Sequence, residues 1–166
     1  MAALSDAGIK RLLATGALNI DPFMEEHLTP NGYDVSVAEV YIPRYEEKIC
    51  DGTVIIPPMS RFVVSTVERI ELKGPYSAQI WIRTTWARRG VLASFGRIDS
   101  GFRGTLTLAA FNASHEVLSI PIGERFAQVV IELLDSAPEK GYGERSGHYQ
   151  DQDGVTLAQA RKRINP

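Results

Sequence analysis

The sequence predicts an all-β domain, a jelly roll or distorted barrel, that carries one short N-terminal helix. Three observations lead there. β-branched and aromatic residues gather in short runs along most of the chain, and glycine and proline turn signals separate those runs at the intervals of a sandwich or barrel. Beyond residue 16 there are none of the long helical stretches that a parallel sheet requires.

The helix comes first: Ser5 can cap it, Ile9, Leu12 and Leu13 recur on one face, and Gly16 offers a stop. The period then changes to two over residues 33–42, where Tyr33, Val35 and Val37 alternate with Asp34, Ser36 and Ala38, the pattern of a half-buried strand. Further β-type runs cover 53–56, 61–67, 78–82, 105–111, 117–122 and 125–134. Between them stand Asp51-Gly52, Pro57-Pro58, Lys73-Gly74-Pro75, Ser100-Gly101 and Gly123. Residues 1–137 therefore read as one β domain that includes the helix. Residues 138–166, polar and rich in glycine (Gly141, Gly143, Gly147, Gly154), read as a mobile C-terminal arm.

Composition narrows the function. A chain of 166 residues is long enough for a single core that buries roughly two thirds of its unfolded surface. No apolar run approaches the ~20 residues of a membrane span, and Met1 to Lys10 lacks the pattern of a secretory signal, so the expected location is the cytoplasm. One cysteine, Cys50, and three scattered histidines offer neither a disulfide nor a dedicated metal cage. A net charge of -2 argues against a duplex nucleic-acid binder and makes any phosphate chemistry local.

Three segments place polar groups where a plain strand pattern would not. Pro30-Asn31-Gly32-Tyr33-Asp34 sets an acid at the opening of a strand; on its own it reads as an Asx turn. In residues 82–90 a strand ends in Thr84 and Thr85, flanked by Arg83, Arg88 and Arg89. Guanidinium forks, hydroxyls and backbone N–H groups of this kind can cradle an oligophosphate, although the glycine-rich loop and lysine of a P-loop are missing. Residues 96–104 form a hairpin with Asp99 beside a turn and Phe102 three residues on. A carboxylate there can deprotonate a water, and an aromatic face can pack on a sugar.

In order and spacing these segments resemble the dUTPase and dCTP deaminase superfamily over nearly the whole chain, to about Gln152. Five motifs can be placed: Gly32 to Val35; Arg83-Thr84-Thr85; Gly96 to Gly104 with Asn112; Gly123 to Gln128; and Tyr142 to Gln152. The stretches RGVLASFGRID (89–99), Phe111-Asn112-Ala113-Ser114 and IGERFAQ (122–128) are most similar to archaeal-type dUTPases.

The resemblance implies a dUTPase-like fold and a dUTP diphosphatase that uses Mg²⁺, forming dUMP and pyrophosphate by water attack on the α-phosphorus. It also implies a homotrimer with active sites between subunits. By position, Asp99 matches the carboxylate that activates water, and Asp34 an acid that supports Mg²⁺ through its hydration shell. Arg83, Thr84, Thr85, Arg88 and Gln128 match phosphate-binding positions, and Phe102 the aromatic under the deoxyribose. Tyr142, His148, Tyr149 and Gln152 fall where the arm closes over the triphosphate. Deaminases of the superfamily carry a glutamate as proton shuttle in a Leu-Glu-Phe context, where this chain has Leu108-Ala109-Ala110. That departure makes dCTP deaminase, or a bifunctional deaminase and dUTPase, the lesser alternative, beside a non-catalytic nucleotide-binding relative. Thr84-Thr85 also replaces the usual serine pair, and Phe102 the commoner tyrosine.

Overall fold

The computed structural model describes residues 2–158; residues 159–166, the end of the expected arm, lie outside that range. The architecture is mostly β, a curled antiparallel sheet that forms a half-barrel. The chain opens with β1 (Ala2–Ala3), α1 (Asp6–Thr15) and β2 (Leu18–Asp21), followed by β3 (Leu28–Thr29), β4 (Gly32–Ile42) and β5 (Glu47–Ile49). It continues through β6 (Thr53–Ile56), β7 (Ser60–Leu72), β8 (Tyr76–Ile82), α2 (Thr84–Arg88), β9 (Val91–Ala93) and β10 (Arg97–Ile98). It closes with β11 (Arg103–Asn112), β12 (Leu118–Pro121), β13 (Arg125–Leu133) and α3 (Tyr142–Arg145). The main sheet runs β10-β8-β13-β4-β7-β11-β9, and β12 pairs with β6 in a separate ribbon.

Local signals explain the helix. The Ser5 hydroxyl accepts the Gly8 N–H at 3.3 Å, and Gly16 ends the helix in a left-handed conformation that costs glycine nothing. Ile9 and Leu12 then join the core formed by the concave side of the sheet and the β6–β12 ribbon, where Val54, Ile56, Leu118 and Ile120 point inward. Asn112 locks that ribbon to β11, donating through Nδ2 to the carbonyls of Pro57 and Glu116 at 3.0 and 2.9 Å.

β4 departs from the half-buried alternation expected of it. Asp34 and Ser36 are buried along with Tyr33, Val35 and Val37. The strand runs between β13 and β7 in the middle of the sheet, and its second face is covered by Arg83 on Asp34 and by Glu68 on Ser36. Short elements without a periodic signature, namely β1, β2, β3, β5, β9, β10, α2 and α3, were not expected.

The curl has an identifiable origin in β7. Thr105 pairs with Arg69 and Thr107 with Ser65, so Leu106 alone faces Thr66, Val67 and Glu68. Such a bulge bends the strand and frees backbone groups from the ladder. Side chains take up the freed groups. The Thr66 hydroxyl accepts the Leu106 N–H at 2.9 Å and donates to the Glu68 carbonyl at 2.9 Å, while the Glu68 carboxylate accepts the Ser36 N–H at 2.8 Å. Glu68 is 1% exposed, and burial raises its carboxyl pKa above the ordinary 4.5, against the opposing pull of the Ser36 N–H and His27.

Two variants test this arrangement. Glu68→Ala leaves the Ser36 N–H unpaired beside a cavity and is expected to cost about 2–4 kcal/mol in urea unfolding. Because Glu68 binds its proton more tightly folded than unfolded, its contribution to stability falls as pH rises from about 4.5 through the raised folded pKa. Glu68→Gln cannot ionise and should flatten that slope; an unchanged slope would contradict the burial argument.

Candidate active site

A cleft of about 360 Å³ lies between β7, β11, the segment around residues 94–99 and the C-terminal arm. Asp99, Phe102, Ala109, Tyr142, Tyr149 and Gln152 line it. The turn that presents Asp99 is held on both sides. The Asp99 carbonyl accepts the Phe102 N–H at 3.1 Å, Gly101 donates to the Leu72 carbonyl at 2.7 Å, and Leu72 donates to the Phe102 carbonyl at 3.0 Å. Asp99 is exposed into the cleft, whereas the Phe102 ring is 6% exposed and meets Tyr142 edge to face at 5.6 Å between centroids.

The arm is laid along the start of β11. Tyr142 donates its N–H to the Ser100 carbonyl at 2.8 Å, and its hydroxyl accepts the Tyr149 N–H at 3.0 Å. The Gln152 carbonyl accepts the Thr105 N–H at 3.1 Å, and Thr156 donates its N–H to the Thr107 hydroxyl at 3.1 Å. Asp151 bridges Arg103 and Arg69, and the Arg103 guanidinium holds its carboxyl below the ordinary range. His148 stacks edge-on against Tyr149, outside the cleft lining.

A second group of expected site residues sits elsewhere, where β8 ends. Asp34, 3% exposed, receives the Arg83 Nε at 2.9 Å and approaches Arg125 Nη1 at 3.6 Å. Burial is the larger influence on its carboxyl and raises the pKa; Arg83 and Arg125 oppose it. Arg83 is fixed further by its N–H to the Phe126 carbonyl at 3.1 Å and its Nη1 to the Arg125 carbonyl at 3.2 Å, which also accepts the Trp86 indole N–H at 2.9 Å. Gln128, cross-strand partner of Asp34, donates to the Thr29 hydroxyl at 2.9 Å. Thr84, Thr85 and Arg88 are exposed on α2, a short helix where the sequence suggested only a strand end.

Within one chain the two groups are apart. β10 pairs with Ala78 and Gln79 near the start of β8, so the Asp99 turn lies beside that end, while Arg83 follows Ile82 at the other. Five residues from Ala78 to Arg83 span about 16 Å of strand. Asp99 and the Arg83 guanidinium, the latter held on Asp34, thus sit toward opposite ends of β8 within one chain.

Comparison with known proteins bears on what this arrangement serves. Residues 3–134 match the family model described as dCTP deaminase-like. The chain belongs to the dCTP deaminase-like family. It is 38% identical to a dCTP deaminase of Thermococcus gammatolerans over 149 residues, which are 87% of this chain and 91% of that protein. It is 34% identical to a probable deoxyuridine 5'-triphosphate nucleotidohydrolase of Sulfolobus islandicus rod-shaped virus 1, over 93% of this chain and 97% of that one. Among solved structures, the 2'-deoxycytidine 5'-triphosphate deaminase of Agrobacterium tumefaciens superposes with a TM-score of 0.67 at 16% identity, covering 79% of this chain and 48% of that one. A dUTPase of Staphylococcus bacteriophage 80alpha gives 0.52 at 20% identity, covering 74% and 94%. These two likenesses speak to the fold alone.

Within this dCTP deaminase-like chain, sequence reasoning missed three contributors to the site: Arg61, which lines the cleft from β7; Ser94, at its rim; and Arg125, the second cation beside Asp34. The alternation of β7 puts Arg61 opposite the core-facing Phe62, which made it indistinguishable from a solvated strand residue. Nothing local marks Arg125 as a partner of Asp34, because their approach arises from β13–β4 pairing.

In the 96–104 hairpin both Gly101 and Gly104 sit at positive φ with the arm packed close against them. Gly101 has φ +87°, and a Cβ there would sit 3.0 Å from the Tyr142 nitrogen. Gly101→Ala is therefore expected to cost about 1–3 kcal/mol and to push the arm off the turn. Hydrogen exchange should then speed up over residues 142–157 with little change in β4 and β13; protection of the arm equal to wild type would contradict the docking described.

Proposed function

We propose that the protein is a dUTP diphosphatase, with Asp99 as the base that activates water and the segment around residues 94–98 as the place where the base is read. The observation that carries this reading is the pairing of Asp99 with Ala109 in one cleft. Asp99 is the sole carboxylate among the described residues that line it. Leu108 and Ala110 are buried, so the Ala109 methyl faces the cleft, where a deaminase of the superfamily would present its glutamate.

On this reading dUTP packs its deoxyribose on Phe102, a contact that disfavours a 2'-hydroxyl. Asp99 takes the proton from a water that attacks the α-phosphorus in line, and pyrophosphate departs. Ser94, Phe95 and Gly96 belong to no strand, and their backbone groups make no turn or loop hydrogen bond among the described residues, which leaves them available to the base edge. Tyr142, Tyr149 and Gln152 close the arm side, with His148 against Tyr149. Arg83, Thr84, Thr85, Arg88 and Gln128 hold phosphate oxygens, with Asp34 as the positioning residue for Arg83.

The separation of Arg83 from Asp99 favours a site built from two chains, and with it the homotrimer. Magnesium fits as an ion carried by the triphosphate: among the described residues no three His, Cys, Asp or Glu groups gather to cage a metal. When bound it would neutralise phosphate charge, and Asp34, grouped with Arg83, would support its hydration shell through water. No helix among the described residues is long and apolar enough to cross a membrane.

Relatives named dCTP deaminase keep a second reading in play. Deamination of cytosine needs a group that carries protons at the ring, and a methyl cannot do so. A non-catalytic relative is less favoured because Asp99 faces the cleft and serves no ion pair among the described residues.

Pure protein with Mg²⁺ should convert dUTP to dUMP and pyrophosphate, act far less on UTP and dTTP, and release no ammonia from dCTP. Ammonia from dCTP would overturn the assignment in favour of the deaminase. Asp99→Asn should bind dUTP normally and lose about 10²- to 10⁴-fold in kcat; near-normal turnover would remove Asp99 from the mechanism.

A further inference from the structure

We infer that Arg61 is a specificity-determining residue that donates to the carbonyl oxygen at position 4 of the pyrimidine and so selects uracil over cytosine. The inference rests on the reading of the cleft as a nucleotide site and adds a side-chain selector to the backbone groups proposed above. Arg61 pairs with Phe111 and Val63 with Ala109, so Arg61 and Ala109 are diagonal neighbours on one face of the β7–β11 pair. Diagonal residues of this kind lie ~7–8 Å apart, within reach of a long side chain. Both line the cleft, together with Ser94.

The small Ala109 methyl leaves the space over β11 open to the guanidinium. Among the described residues Arg61 makes no ion pair, hydrogen bond or cation–π contact, so its donors are not committed elsewhere. Arg97, the other guanidinium lining the cleft, is bonded to Ser77 at 2.8 Å and Glu132 at 3.1 Å. Asp99, Phe102 and Gln152 gather near the start of β11, and Arg61 lies toward its far end, which separates it from the reacting phosphate.

The chemistry of selection is simple. A guanidinium has five N–H donors, no acceptor and a permanent charge. Uracil presents a carbonyl at position 4, which accepts; cytosine presents an amino group, which only donates. Cytosine therefore puts donor against donor and leaves both unpaired, a mismatch that discriminates more strongly than the loss of an apolar contact.

The test measures binding rather than turnover, in the Asp99→Asn background where dUTP persists. Dissociation constants for dUTP and dCTP with Mg²⁺ are compared with and without Arg61→Leu. The expected result is about 10- to 100-fold weaker binding of dUTP, the usual worth of a charged hydrogen bond, with dCTP unchanged or tighter. Arg61→Gln, which can both donate and accept, should admit dCTP while retaining most dUTP affinity, and it serves if the leucine variant does not fold. An unchanged dUTP to dCTP ratio would overturn the inference. Equal weakening of dUTP, dCTP and pyrophosphate would also overturn it, by making Arg61 a phosphate contact. Failure of the diphosphatase reading is seen separately, as wild-type protein that binds dUTP but does not hydrolyse it.

Discussion

The bulge of β7 at Thr66–Glu68 is the constraint from which the rest of the molecule follows. Three residues facing one would leave buried backbone donors without partners, at a cost of about 1–3 kcal/mol each. The chain meets this with the Thr66 hydroxyl and the Glu68 carboxylate, at the expense of burying an acid. The bend they stabilise interrupts the ladder to β11 and, on the other edge of β7, separates the ladder to β4 from the ladder to β2. Beside it, Thr105 and Thr107, paired with β7, also bond Gln152, Gly154 and Thr156 of the arm. The cleft is thus the hollow that a bent sheet and a docked arm enclose.

Asp34 shows the same economy at the other end of the sheet. Burying a carboxylate is unfavourable unless it is paired, and Arg83 and Arg125 supply the pairing. In exchange the Arg83 guanidinium is held in one orientation at the mouth of α2, with Thr84 and Thr85 exposed beside it. A rigid cation beside free hydroxyls is suited to phosphate oxygens, and the proposed division between chains gives it a partner it cannot find within its own.

Much of the fold was legible because it rests on local chemistry. Ser5 and Gly16 bound the helix, and the long runs at 53–56, 78–82 and 125–134 became β6, β8 and β13 with ends shifted by no more than a few residues. Motif order points to Asp99, Phe102, Tyr142, Tyr149 and Gln152, and the structure gathers all five around one cleft. What the sequence hid is non-local. The burial of Asp34 and Ser36 depends on which strands flank β4; α2 is too short to show a period; and Arg61 reaches the cleft only because β7 pairs with β11 in one register. Glu68 lies just past the β-type run at 61–67, and nothing in the sequence marks the bulge that turns it inward.

The central claim is that one site is completed by two chains, Asp99 from one and Arg83 from the next. It is tested most directly by mixing inactive Asp99→Ala and Arg83→Ala proteins in equal amounts, unfolding and refolding them together, and assaying dUTP hydrolysis. In a cyclic trimer each site needs an intact Asp99 on one subunit and an intact Arg83 on its neighbour, so random assembly should restore about a quarter of the activity of refolded wild type. A mixture that forms trimers yet stays at the level of the separate mutants would contradict the shared site and require each site to be built within one chain.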